Sequence, residues 1–94
     1  MSADAVRRRV VVSGHVQGVF FRDSTRERAE AEGVAGWACN RGDGAVEVVL
    51  EGPQDAVERV LAFLREGPSR ASVESVEVVE DGGAAEGLSR FEIR

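Results

Sequence analysis

The sequence predicts an α+β fold: a ferredoxin-like βαββαβ sandwich whose antiparallel sheet, with a short fifth strand, is covered on one face by two helices. Three observations predict it. Several short segments rich in β-branched residues alternate apolar and polar side chains, as half-buried strands do. Two others repeat apolar residues at helical spacing. Their order along the chain is strand, helix, strand, strand, helix, strand. At 94 residues with 43% hydrophobic content, the chain has material for one compact core. Residues 1–94 are therefore expected to form one domain, with no repeat, low-complexity tract or linker at either end.

The elements follow in order. "VRRRVVVS" (Val6–Ser13) reads as a strand, with Val10 and Val12 on one face and Val11 on the other. Arg22–Glu32 reads as a helix opened by a Ser24–Glu27 capping box and closed by Gly33, with Phe21, Thr25 and Ala29 inward. "VAGWACNR" (Val34–Arg41) reads as a second strand, and "GDG" (Gly42–Gly44) as a hairpin turn. "AVEVVLE" (Ala45–Glu51) alternates, placing Val46, Val48 and Leu50 inward and leaving one wet face with Glu47 and Glu51. Pro53 suits the first turn of a second helix carrying Val57, Val60, Leu61 and Leu64 inward and ending at Gly67-Pro68. "SVESVEVVE" (Ser72–Glu80) reads as a fourth strand, Asp81–Gly87 as a mobile Gly/Ala loop, and "SRFEIR" (Ser89–Arg94) as a short last strand with Phe91 and Ile93 inward.

Composition excludes several functions. The formal net charge of −5 argues against general binding of nucleic-acid backbones. An RNA reader also needs exposed aromatics and a basic face, and the chain has no tyrosine. One cysteine, Cys39, excludes an internal disulfide and a cysteine-only metal site, and the single histidine, His15, does not restore one. No metal or other cofactor is expected. The start, Met1–Val6, lacks the apolar stretch of a secretion signal, and no run reaches membrane-spanning length, so a soluble cytoplasmic monomer is expected. The basic side is entirely arginine, which grips phosphate and carboxylate with a planar fork.

The informative stretch is "SGHVQGVFFRDS", where the first strand hands over to a helix. Gly14 and Gly18 permit backbone angles that turn successive N–H groups toward one point. Such a concavity beside a helix start holds an anion, and Arg22 stands at that start. Turn formation with a surface arginine is the plain alternative. The stretch is neither a Walker loop nor G-x-G-x-x-G. It is not a cysteine-phosphatase loop either, because Ala45 stands where that loop needs arginine after Cys39.

"GHVQGVFFR" resembles the acylphosphatase signature G-x-V-Q-G-V-x-F-R, and "GWACNRGDGAVE" (Gly36–Glu47) resembles that family's G-W-V-x-N-x-x-D-G-x-V-E. The resemblance covers essentially the whole chain and implies strand order 4-1-3-2-5. It implies that Arg22 binds the phosphoryl oxygens of a small-molecule acyl phosphate, and that Asn40 positions the attacking water. Backbone amides of His15, Val16, Gln17, Gly18, Val19, Phe20 and Phe21 complete the cradle, for which inorganic phosphate or sulfate competes. The chemistry is consistent: a carboxylate leaves readily, so positioning and charge stabilisation suffice without metal or phosphoenzyme. Read without the resemblance, Asn40 is a turn residue.

Other residues are assigned bland roles. His15 is expected to point to solvent. Gln17, Phe20 and Phe21 are expected to shape the loop and anchor it, with Gln17 bonding the loop's own backbone. Trp37 is expected to pack on its strand, and Asp23, Glu27, Glu30 and Glu32 to form a solvated helix face. Cys39 departs from the family, many members of which carry a basic residue there. Alternation turns it away from Asn40, so the departure bears on long-range attraction of an anion and not on the chemistry. Ala38 replaces valine, a smaller change. Two other functional readings stand beside the enzyme: a non-catalytic anion sensor on the same fold, and a regulatory module of a larger assembly.

Overall fold

The computed structural model describes residues 5–82 and 87–94. Strand β1 (Ala5–His15) leads into helix α1 (Phe21–Glu32). Strands β2 (Ala35–Asn40) and β3 (Val46–Pro53) form a hairpin, followed by helix α2 (Gln54–Glu66), strand β4 (Ser72–Asp81) and strand β5 (Phe91–Ile93). The strands lie in the order β4-β1-β3-β2-β5. β1 pairs antiparallel with β3 and with β4, and β2 pairs antiparallel with β3.

The sheet is mixed, which corrects the expectation of an antiparallel one: β5 pairs parallel with β2, Gly36 opposite Phe91 and Ala38 opposite Ile93. The cause is the path of the chain. β4 ends with Asp81 opposite Arg8, at the end of the sheet where β1 starts. β5 sets off from that same end at the far edge, so it runs with β2. β1, β2 and β5 consequently all point one way and deliver their C-terminal ends to one end of the sheet.

The core lies between the sheet and the two helices. Val10, Val12, Val46, Val48 and Leu50 of the sheet meet Phe21 and Ala29 of α1 and Val57, Val60, Leu61 and Leu64 of α2, all buried. Each such aliphatic or aromatic side chain contributes about 1.5–3 kcal/mol by leaving water. Thr25 is buried among them, and its hydroxyl donates to the Phe21 carbonyl at 2.8 Å, so no polar group is stranded.

The second face of β3 is not wet. Val49 is fully buried there and Glu51 nearly so. β3 is central, and Val49 lies between Arg9 of β1 and Trp37 of β2, whose long side chains shield it. Arg7 donates from Nε to Glu51 and from Nη1 to Glu80, each at 3.2 Å, and Arg9 pairs with Glu47. Alternation alone does not reveal a charged lattice laid over an apolar row.

Three smaller expectations change. Pro53 closes β3 and precedes α2, whose first residue is Gln54. Asp81 belongs to β4, and the core of the expected Gly/Ala loop, 83–86, lies outside the described residues. The last strand is confined to Phe91–Ile93, with Ile93 only half-buried. Among the described residues, no helix is long and apolar enough to cross a membrane, and no cluster of metal-ligating side chains occurs.

Candidate active site

The cavity sits where β1, β2 and β5 end. Its wall is built first by the exit from β1. The register with β4 shifts between Ser13 and Gly14, and Gly14 comes opposite Val73. Gly14 has φ of 125°, and a Cβ on it would lie 2.2 Å from the Ser72 carbonyl oxygen. This glycine therefore serves the close passage of β4 and not the cradle, in contrast to the sequence reading. Gly18 is different: φ is 75° and nothing stands within 4 Å of a notional Cβ, so it serves the turn itself.

Phe20 ends the loop in a left-handed conformation, φ 61° and ψ 26°, and is the one described non-glycine residue with positive φ. That geometry costs an ordinary L-residue about 1–2 kcal/mol. α1 begins immediately after, at Phe21, with no side-chain cap. The expected Ser24–Glu27 capping box is absent because the helix starts before Ser24, whose N–H already donates to the Phe20 carbonyl at 3.0 Å. Among the described residues, no backbone acceptor is found for the amides from Gln17 to Asp23. They form a run of open donors at the positive end of a helix.

A cavity of about 260 Å³ opens onto this run, lined by Val16, Gly18, Phe20, Phe21, Arg22, Asp23 and Asn40. Liquid water takes about 30 Å³ per molecule, so the cavity has room for a tetrahedral oxyanion, an ordered water and part of a substituent. Arg22 is half-buried. Its Nη1 donates to the Arg94 backbone oxygen at 3.1 Å, and no side-chain carboxylate among the described residues pairs with it. One edge of the guanidinium is thus tied to the end of β5, and the other N–H groups remain for a ligand. Arg94 is itself held: its N–H donates to the Ala38 carbonyl at 2.8 Å, and its guanidinium lies 4.9 Å from the Trp37 ring centroid. Trp37 is accordingly a packed strand side chain beneath Arg94. Asn40 ends β2 opposite Val46, is exposed, and lines the same cavity.

Gln17 links these parts. Its Nε2 donates to the Arg41 carbonyl at 2.8 Å and to the Ala45 carbonyl at 2.9 Å. The loop is thereby fastened to the hairpin that follows Asn40, and not to its own backbone as expected. The hairpin is itself cross-linked by hydrogen bonds. Arg41 N–H donates to the Ala45 carbonyl at 2.8 Å, and the Asp43 carboxylate accepts from Ala45 N–H at 3.1 Å. That hydrogen bond, with the charge of Arg41 adding, holds the Asp43 carboxyl below its ordinary pKa of 3.8.

The structure gathers Val16, Gly18, Phe20, Phe21, Arg22 and Asn40 around one cavity. The side chains of the others lie elsewhere, while the N–H groups of Gln17 and Val19 belong to the open run. The exposed His15 pairs in the sheet opposite Ser72, Val19 is buried in the core, and Gln17 faces the hairpin. Phe21 anchors the loop in the core, but Phe20 does not: it is 66% exposed. Cys39 lies opposite Glu47, away from the cavity, as alternation requires. Asp23, read as a solvated helix residue, lines the cavity and pairs with Arg26 at 3.7 Å. Its position in the first turn of a helix that starts at Phe21 was the missing signal.

Fold and cavity together define a class: ferredoxin-like α+β domains with a polar cradle between the first strand and the first helix. Comparison with known proteins then specifies it. The Acylphosphatase family model matches residues 8–93. The chain is 57% identical over 88 residues to the acylphosphatase of Rubrobacter xylanophilus, covering 94% of this chain and 79% of that one. It is 50% identical over 91 residues to the acylphosphatase of Gloeobacter violaceus, covering 97% and 96%. The crystal structure of acylphosphatase from Bacillus subtilis superposes with a TM-score of 0.90 at 35% identity, covering 95% of this chain and 98% of that one. The chain belongs to the acylphosphatase family, and its enzyme class is that of an acylphosphatase.

Proposed function

We propose that residues 1–94 act as one monomeric, cytoplasmic domain that hydrolyses small-molecule acyl phosphates to carboxylate and orthophosphate. The phosphoryl group lies in the cradle, its oxygens taken by the open amides between Gln17 and Asp23 and by the free N–H groups of Arg22. Asn40 accepts a hydrogen bond from a water through its side-chain oxygen and directs that water at phosphorus. The water oxygen forms the new P–O bond. The bridging P–O bond breaks, and the carboxylate leaves with the electron pair. The water's proton passes to a phosphoryl oxygen.

Such a loose transition state is served by placement and by charge aimed at the equatorial oxygens. A carboxylate is a good enough leaving group that the scheme calls on no metal ion and no phosphoenzyme. The observation that carries this reading is the convergence of Arg22, Asn40 and an uncapped helix start on one cavity.

The test is phosphate release from acetyl phosphate in the presence of a chelator. Wild type turns over. Arg22→Ala lowers kcat/KM by about 10³-fold or more, and Asn40→Ala by about 10²–10³-fold, each with its circular dichroism spectrum retained. Inorganic phosphate competes. Full turnover by either folded variant contradicts its role here, and phosphate binding without hydrolysis by wild type favours an anion sensor instead.

A further inference from the structure

Phe20 breaks three local rules at once. It is 66% exposed, a large apolar side chain left in water. Its φ is 61°, where glycine sits without strain and asparagine with little. It occupies the N-cap of α1, a position that favours serine, threonine, aspartate or asparagine. Core packing does not compel this, since its neighbours Val19 and Phe21 are both buried and hold the loop without it. The same loop uses glycine at Gly18, where only the turn matters. Violations of this kind concentrate where a side chain touches a ligand.

Phe20 also lines the cavity that holds Arg22 and Asn40. We propose that the Phe20 ring is the docking face for the acyl group, and that the enzyme therefore favours acyl phosphates with an aromatic or extended apolar acyl chain over acetyl phosphate. The inference rests on the function proposed above. The cradle's donors enclose the phosphoryl group, so the acyl substituent must project toward solvent. Among the apolar residues lining the cavity, Val16 and Phe21 are buried and Phe20 is the exposed one. The other exposed large hydrophobics, Val78 and Val79, lie on β4 near Val10, at a distance from the cavity. An acetyl group is too small to cover a phenyl face, whereas a benzoyl ring can stack on it or meet it edge-on.

The experiment compares kcat/KM for benzoyl phosphate with that for acetyl phosphate in wild type, Phe20→Gly, Phe20→Ala and Phe20→Tyr. Taking the ratio cancels any general loosening of the loop and the intrinsic reactivity of each substrate. The benzoyl-to-acetyl ratio falls about three- to tenfold in Phe20→Gly and Phe20→Ala, and Phe20→Tyr keeps it. Thermal melts accompany the assay. Phe20→Gly melts no lower than wild type, because glycine accepts the positive φ. An unchanged ratio in folded Phe20→Gly overturns the role of the ring while leaving the hydrolytic reading intact. Failure of wild type to hydrolyse either substrate overturns both.

Discussion

Replacing Gln17 by methionine removes two hydrogen bonds at nearly constant volume. Both bonds are made by one atom, Nε2, to the carbonyls of Arg41 and Ala45. A neutral hydrogen bond contributes about 0.5–1.5 kcal/mol, so the pair is worth about 1–3 kcal/mol. The lower half applies, because neither carbonyl is orphaned: Ala45 O still accepts from Arg41 N–H and Arg41 O from Gly44 N–H. The expected loss is about 1–2 kcal/mol. In a domain of this length each kcal/mol lowers Tm by about 4–8 °C. The larger effect is on activity. Gln17 fastens the loop bearing the open amides to the hairpin beginning after Asn40. Its loss lets the phosphoryl group and the attacking water drift apart, and a displacement near 1 Å costs about 10²-fold in rate. Thermal unfolding and acetyl phosphate turnover at 25 °C, where the variant stays folded, measure the two effects separately. A variant with the expected fall in Tm but wild-type kcat and KM would refute the idea that this tie aligns the site.

Two further outcomes follow from the geometry. Gly14→Ala places a methyl 2.2 Å from the Ser72 carbonyl at a φ of 125°, so β1 and β4 must separate locally; urea titration registers a loss of about 3 kcal/mol or more, or no folded protein. The Asp43 carboxyl, held low by its bond from Ala45 N–H, titrates by NMR below 3.8. A depressed folded pKa means that Asp43 stabilises the hairpin above the unfolded value and ceases to as pH falls through the folded one. The stability difference between wild type and Asp43→Ala therefore narrows as pH falls from the unfolded pKa through the lower folded one, and stays constant below it.

The layers of the fold were legible because periodicity reports burial directly. α2 shows it most clearly, with Val57, Val60, Leu61 and Leu64 all buried as their spacing requires. The strand order came through the family resemblance instead. A three-residue strand such as β5 carries no signal of its neighbour, and its parallel pairing with β2 depends on a path across the whole sheet. The face of β3 expected to be wet, with Glu47 and Glu51, holds a nearly buried Glu51 and a fully buried Val49, because alternation is blind to what neighbouring strands lay across a central one.

At the site, Arg22 and Asn40 were visible as types at telling positions, but three features were not. The Ser24–Glu27 pattern suggested a capped helix, whereas the real start at Phe21 is uncapped. Capping rules describe helices that satisfy their own amides, and this one leaves them open. The partners of Gln17 lie more than twenty residues away, beyond any local pattern. Two adjacent phenylalanines look alike in sequence. The backbone alone separates the buried Phe21 from the exposed, left-handed Phe20.

The claim on which the account turns is that an oxyanion seats against the amides at the start of α1 together with Arg22. Titrating ¹⁵N-labelled protein with inorganic phosphate tests it most directly. The account predicts saturable shifts confined to the N–H resonances of Gln17 to Asp23 and the Arg22 side chain, weakened strongly in Arg22→Ala. Saturable binding that leaves those resonances in place and moves a different surface would contradict it.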